Sequence, residues 1–149
     1  MKKYFVNNDG NSWTNNELAR VTDRPSLIYG SAPEWELNFV VSNGVGGSIG
    51  VDLSDAIGWR AVVDSDFDHS TSPMVVTESG DIDMTAVASG ILRIPLDTDT
   101  QSFGEKIGTK TQLGAFLEIQ GLDSNSKMIY CWQLPVTCLN SIDPPTNGE

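Results

Sequence analysis

Residues 90–143 read GILRIPLDTDTQSFGEKIGTKTQLGAFLEIQGLDSNSKMIYCWQLPVTCLNSID. Three strand-like runs, one short helical turn and one polar hairpin follow one another, with almost no reactive side chains between them. Gly90 to Leu96 places Leu92, Ile94 and Leu96 on one face and Arg93 on the other. A period of two is the mark of a half-buried strand. Asp97 to Ile107 breaks that period. Thr98, Asp99 or Thr100 caps a turn of helix carrying Phe103 and Ile107 at i and i+4, and Gly108 closes it. Ala115–Gln120 and Lys127–Leu139 are strands joined by GLDSNS, which has hairpin composition. On the last strand Met128, Tyr130, Trp132, Leu134 and Val136 share a face.

The same rhythm extends upstream. Ser26–Gly30 is a short strand. Glu34–Val41 alternates, with Trp35, Leu37, Phe39 and Val41 inward and Glu36 and Asn38 outward. Ile57–Val63 repeats the pattern with Ile57, Trp59, Ala61 and Val63 inward and Arg60 outward. Pro73–Glu78 carries its proline at the start, where a strand tolerates one. Some seven short strands, one short helix and no long amphipathic helix point to an all-β sandwich. Trp35, Trp59 and Trp132 lie on apolar strand faces and are assigned to the core between two sheets. Trp13 lies outside any clear pattern.

The chain has 149 residues, enough for one domain with a proper core. A hydrophobic content of 39% with 19% charged residues excludes a disordered tail. The net charge is −11 and is unevenly placed. Residues 1–25 hold Lys2, Lys3, Arg20 and Arg24 against Asp9, Glu17 and Asp23, a balance of +1, which leaves −12 for the rest. An acidic body repels phosphate backbones, so no nucleic-acid partner is expected. No run approaches the ~18 apolar residues of a membrane span, so no membrane partner is expected either. MKKYFVNNDGNSW has lysines without an apolar stretch behind them, unlike a signal peptide. Cys131 and Cys138 are seven residues apart, roughly 23 Å along one strand and on opposite faces, so the expectation is two reduced, packed thiols.

Residues 1–25 are rich in Asn, with scattered apolar residues. Thr14 with Glu17 has the spacing of a capping box, which predicts a helical turn over 14–19. Arg24-Pro25 ends anything helical. Tyr4, Phe5 and Trp13 would be a liability in a solvated tail. They are read as the partner-binding residues of an extended N-terminal arm lying on a neighbouring subunit. The organisation is then an arm at 1–25, a sandwich domain at 26–143 and a Pro-rich tail at 144–149.

Motifs for chemistry are sparse. Asp64, Asp66 and Asp68 alternate as a calcium loop begins, since hard oxygen ligands suit that ion. The sixth position of such a loop should be Gly and is His69; the twelfth should be Glu and is Val75. These aspartates are the metal candidates, and Asp81 and Asp83 are the nearest further acids. His69 is the sole histidine and has no spaced nucleophile and orienting partner, while a G-x-S-x-G elbow is absent. Gly44–Gly50 lacks both the third glycine of a dinucleotide loop and the lysine of a phosphate loop, and reads as a hairpin connection. No catalytic residue and no cofactor is expected.

The order of features resembles the immunoglobulin-like N-terminal domains of bacteriophage tail-fibre and upper-baseplate proteins. The likeness is carried by RPSLIYGSAPEWELNFV, VDLSDAIGWRAVVDSDFDHS, GILRIPLDTDTQSF, LEIQGLDSNSKMIYCWQLPV and NSIDPP. It implies an immunoglobulin-like, antiparallel sandwich in a non-enzymatic structural virion protein, made in the bacterial host cytoplasm. Its partners would be other virion proteins and copies of itself, with a trimer as the expected state. Family members continue into a shaft, coiled coil or receptor-binding tip. This chain ends six residues after Asp143, which favours an adaptor, collar or head-fibre role. The alternative is a carbohydrate-binding module on the same sandwich, assisted by calcium near Asp64–Asp68. A small hydrolase ranks last, for want of a convergent polar cluster.

Overall fold

Trp35, Leu37 and Phe39 alternate inward on the longest strand of one sheet, and each is at most 1% exposed. That strand organises half of the molecule in the computed structural model, which describes residues 1–66 and 71–141. The strands are β1 (Lys2–Asn7), β2 (Ser12–Thr14), β3 (Ser26–Ile28), β4 (Glu34–Ser42), β5 (Ser48–Gly50), β6 (Gly58–Asp64), β7 (Val75–Thr77), β8 (Ile91–Pro95), β9 (Gln112–Leu122) and β10 (Met128–Leu139). A helix, α1 (Gln101–Ile107), separates β8 from β9. One sheet runs β2-β1-β4-β5 with β8 also on β4; the other runs β3-β10-β9-β6-β7. The two stack face to face as an all-β sandwich. Pairing is mostly antiparallel, with parallel pairs at β1–β4 and β3–β10.

The interior is sealed by side chains that the alternation selects. Trp59, Ala61 and Val63 of β6, Leu92 and Ile94 of β8, and Trp132, Leu134 and Val136 of β10 are all buried. Phe39 and Trp132 meet across the sheets with ring centroids 4.4 Å apart. Trp132, Tyr130 and Trp59 stack nearly parallel, at 5.4–6.2 Å. The helix caps the core where expected. The Thr100 hydroxyl accepts the Phe103 N–H (3.1 Å) and donates to the Met74 carbonyl (2.7 Å), tying the helix start to the chain entering β7. Phe103 and Ile107 are fully buried, and Phe103 stacks on Tyr29 at 5.5 Å. Gly104 is required by this packing, because a Cβ there would sit 2.3 Å from the Tyr29 hydroxyl. Gly44–Gly47 falls in the β4–β5 hairpin loop, where the Asn43 side chain accepts the Val45 and Gly47 N–H groups.

Several expectations are corrected. Residues 1–25 are part of the sandwich. β1 lies parallel to β4 along all six of its residues, and β2 pairs with β1. Trp13, expected on a neighbour, is 4% exposed in the chain's own core, within 6.4 Å of Trp35 and 5.6 Å of Tyr4. Its indole N–H donates to the Pro135 carbonyl at 2.6 Å. The turn at 14–19 is not helical. Asn15 holds it by accepting the Glu17 and Ala19 N–H groups, and Thr14 bridges to Arg20. This polar side chain substitutes for the backbone bonds that a helical turn would have made. Ile57 precedes β6 and is exposed, and Met128 is exposed beside a bulge in β10. Val41 is only half-buried, and Cys131 lies exposed on the outer face of β10 while Cys138 is buried. The tail at 144–149 lies outside the described residues.

Residues 11–13 have a structural task. β3 pairs with β10 only at Thr137–Leu139, so β10 would otherwise present an open edge before that point. Trp13 covers it through Pro135, and Asn11 accepts the Gln133 N–H at 3.2 Å. Covered edges do not recruit foreign strands. On the far side, the Thr77 hydroxyl donates to the Pro95 carbonyl (2.6 Å), joining β7 to β8. Trp13→Ala is therefore expected to lose about 3–5 kcal/mol of unfolding free energy in urea titration, the range for a buried aromatic. Removal of residues 1–14 should abolish the cooperative transition, whereas a detached arm would leave it unchanged.

Candidate functional site

β2 is too short to follow β1 to its start. It pairs with Phe5, Val6 and Asn7, so Lys2–Tyr4 has no neighbouring strand on that side. The chain then crosses to the other sheet through residues 21–26, held where the Pro25 carbonyl accepts the Thr137 N–H at 2.9 Å. Between β1 and this crossover lies an open trough. Its central cavity has a volume of about 440 Å³ and is lined by Lys2, Tyr4, Trp13, Val21 and Arg24, among others. A second cavity of about 400 Å³ shares Trp13, Val21 and Arg24 with it, and a third of about 330 Å³ shares Lys2 and Ser26. The second and third flank the first through these shared residues.

The trough is apolar below and basic above. Tyr4 packs edge-on against Trp35 (4.8 Å), so its floor is fixed by the core. Lys2, Lys3, Arg20 and Arg24 are exposed along the rim, against Asp23 and Glu34. Lys3 has an ion-pair partner, Glu36, at 3.4 Å. Among the described residues, Lys2, Arg20 and Arg24 have no carboxylate within ion-pair distance.

Glu36 anchors this rim to the rest of the sheet. Register places Lys3, Glu36 and Arg93 side by side on β1, β4 and β8. Arg93 reaches Glu36 at 3.1 Å and Asp83 at 3.5 Å, and the Asn38 amide donates to Glu36 at 3.2 Å. The alternation put Glu36 outward, in solvent; the flanking cations instead cover it to 9% exposure. Burial pushes its carboxyl up, but the Asn38 hydrogen bond together with Lys3 and Arg93 prevails and holds it below the usual glutamate range.

The other predicted positions lie apart from the trough or serve the fold. Asp64 is 2% exposed and pairs with Lys106 of α1 at 2.6 Å, so its carboxylate is committed to an ammonium group. Asp66 is exposed; Asp68 and His69 lie outside the described residues. Asp83 is committed to Arg93 and Thr85. Among the described residues no three His, Cys, Asp or Glu gather for a metal ion. Of the residues assigned to partner binding, Tyr4 and Trp13 line the trough floor while making ring contacts within their own chain, and half-buried Phe5 lines the same cavity. Cys131 donates to Glu118 at 3.4 Å, and partial burial followed by that carboxylate pushes its thiol up to about 11. Burial pushes Cys138 up to about 12. Neither thiol is an activated nucleophile. The arrangement holds charge and apolar surface in place. The rim cations were not singled out from sequence, although the positive balance of residues 1–25 was their signal.

The lowered Glu36 has a pH consequence. Its contribution to stability is present above the unfolded glutamate pKa of roughly 4.3 and disappears as pH falls through the folded value. Glu36→Gln should cost about 1–3 kcal/mol at pH 7. The gap to the unsubstituted protein should narrow in urea titrations as pH falls from 7 toward 3. An equal gap at both pH values would mean that the side chain acts by shape alone.

A scan against models of known protein families finds none that matches this chain, and a search of curated proteins finds no match.

Proposed function

We propose that this chain is a non-catalytic structural protein of a bacteriophage particle, serving as a tail, baseplate, fibre or head-fibre adaptor. It assembles through the side of the sandwich built by β1, β2 and residues 20–26. The observation that carries the reading is the division of labour among the aromatic residues. Tyr4, Trp13, Trp35, Phe39, Trp59 and Trp132 are used to close a single core. What remains concave along β1 is an open, basic trough. A surface of this kind suits docking, because bound partners gain apolar contact and charge complementarity without any reacting group. The resemblance to immunoglobulin-like domains of tail-fibre and baseplate proteins supplies the setting.

The assembling surface is an integral sheet edge in place of the arm first inferred. Trp13 has no free face to insert into a neighbour, so assembly uses the rim and the exposed part of the floor. The carbohydrate-module reading asks for a row of exposed aromatic faces. Among the described residues Phe116 alone is an exposed aromatic, which leaves that reading without its platform.

Light scattering of the purified chain tests the proposal. The expected result is a defined oligomer, a trimer, whose mass holds as concentration rises. A monomer at every concentration overturns it.

A further inference from the structure

In the loop between β4 and β5, two backbone N–H groups point at the side-chain carbonyl of Asn43. Val45 N–H donates to Asn43 Oδ1 at 2.9 Å and Gly47 N–H at 3.1 Å. Two donors can face only the oxygen of that amide, so its orientation is fixed. The Asn43 N–H in turn donates to the Gly47 carbonyl at 3.1 Å, closing the loop on itself. The next nitrogen in the chain, that of Gly44, donates its hydrogen to the Ser42 hydroxyl oxygen at 3.1 Å. Gly44 has a φ of +83°, and nothing lies within 4 Å of where a Cβ would stand. An asparagine amide with two donors on its carbonyl and a following nitrogen without steric cover thus meet in one exposed loop. Asn7 and Asn15 have the same two-donor cradle, from Asp9 and Gly10 and from Glu17 and Ala19. Each of those is followed by another asparagine, whose Cβ crowds the nitrogen. Among the described residues Asn43 alone precedes a glycine.

We propose that Asn43 is a site of self-catalysed deamidation, for which the loop supplies the means. The Gly44 nitrogen attacks Asn43 Cγ and closes a succinimide ring. That nitrogen loses its proton toward the Ser42 oxygen and from there to a solvent base. Negative charge gathers on Oδ1, where the Val45 and Gly47 N–H groups stabilise it as oxyanion donors do. The Cγ–Nδ2 bond then breaks, and Nδ2 takes a proton from water and leaves as ammonia. Water next adds to one carbonyl of the imide. Opening on one side gives aspartate; opening on the other gives isoaspartate, whose backbone runs through the side-chain carbon. Nothing is oxidised or reduced, and water is the one co-reactant. The step does not depend on the assembly reading. It places a carboxylate, slowly and in one direction, at a hairpin tip whose Val45 is 86% exposed. The sheet has no need to move. Gly44 and Gly46 stand in open space, while β5 stays seated where Gly50 packs on the Ser89 carbonyl, so closely that a Cβ would be 2.0 Å from it.

Peptide mapping by mass spectrometry tests this. The full chain is aged in mildly alkaline buffer, and the same chain is aged in concentrated urea at the same pH and temperature. The folded protein should convert Asn43 at least about tenfold faster than the unfolded one, since oxyanion donors and positioning each contribute that much or more. The products should be aspartate and isoaspartate at residue 43, while Asn7 and Asn15 remain amides in the folded protein. Asn147-Gly148, outside the described residues, falls in a separate peptide and does not enter the comparison. Ser42 is exposed, so Ser42→Ala leaves the fold intact; it should slow conversion in the folded chain and leave the rate in urea unchanged. Conversion no faster in the folded chain than in urea overturns the proposal, because the hydrogen bonds would then restrain the amide instead of activating it. A Ser42→Ala protein that ages at the unsubstituted rate overturns the assignment of the proton path to Ser42.

Discussion

The indole of Trp13 holds the two sheets together at the side where their hydrogen bonding runs out. Its ring completes the aromatic cluster with Tyr4 and Trp35, and its N–H reaches the Pro135 carbonyl of the facing sheet. A sandwich has no backbone hydrogen bonds between its sheets, so its edges are where water enters and where foreign strands pair. One side chain here supplies apolar burial and satisfies a carbonyl on an unpaired stretch of β10. The positions of β1, the crossover at 21–26 and the trough between them all follow from where that indole is seated.

With the aromatics turned inward, the outer surface is left to charge. On the outer face of β4 the charges are paired in rows set by strand register, Lys3 to Glu36 to Arg93 to Asp83. Such rows replace hydration with neighbouring ions and keep a buried carboxylate ionised. On the trough side Lys2, Arg20 and Arg24 stand without an ion-pair partner among the described residues. The same fold thus uses ionic side chains in two ways: compensated where they stabilise a sheet, and uncompensated where a surface is left to meet something else.

The sandwich was legible because period two survives in the long strands. Trp35, Leu37 and Phe39, then Leu92 and Ile94, then Trp132 and Leu134 each declare a face without help from the rest of the chain. The helix was legible for the same local reason: Thr100 caps it and Gly108 ends it. The N-terminal strands were not. A three-residue strand such as Ser12–Thr14 has no period, and Lys2-Lys3 hides the inward Tyr4 and Val6 behind two cations. The parallel pairing of β1 with β4 is also non-local, and nothing within residues 1–25 encodes it. Asp64 shows a different limit. Its DSD spacing suggests an ion loop, while its actual partner, Lys106, lies 42 residues away on a helix whose distance from Asp64 only the fold defines.

The core and the charged rim of the trough draw on separate sets of residues, and this separation has a physical reason. The core selects for volume and for the absence of charge, so it fixes one structure while being nearly blind to what lies outside. A contact between copies built from more apolar surface would risk open-ended aggregation, since apolar patches attract in many orientations. Segregated charge acts differently. Attraction exists where opposite charges meet and repulsion where like charges do, so placed charge discriminates among contacts in a way that apolar area does not. Lys2, Arg20 and Arg24, exposed at the open side of a closed sandwich, are charges placed in this way.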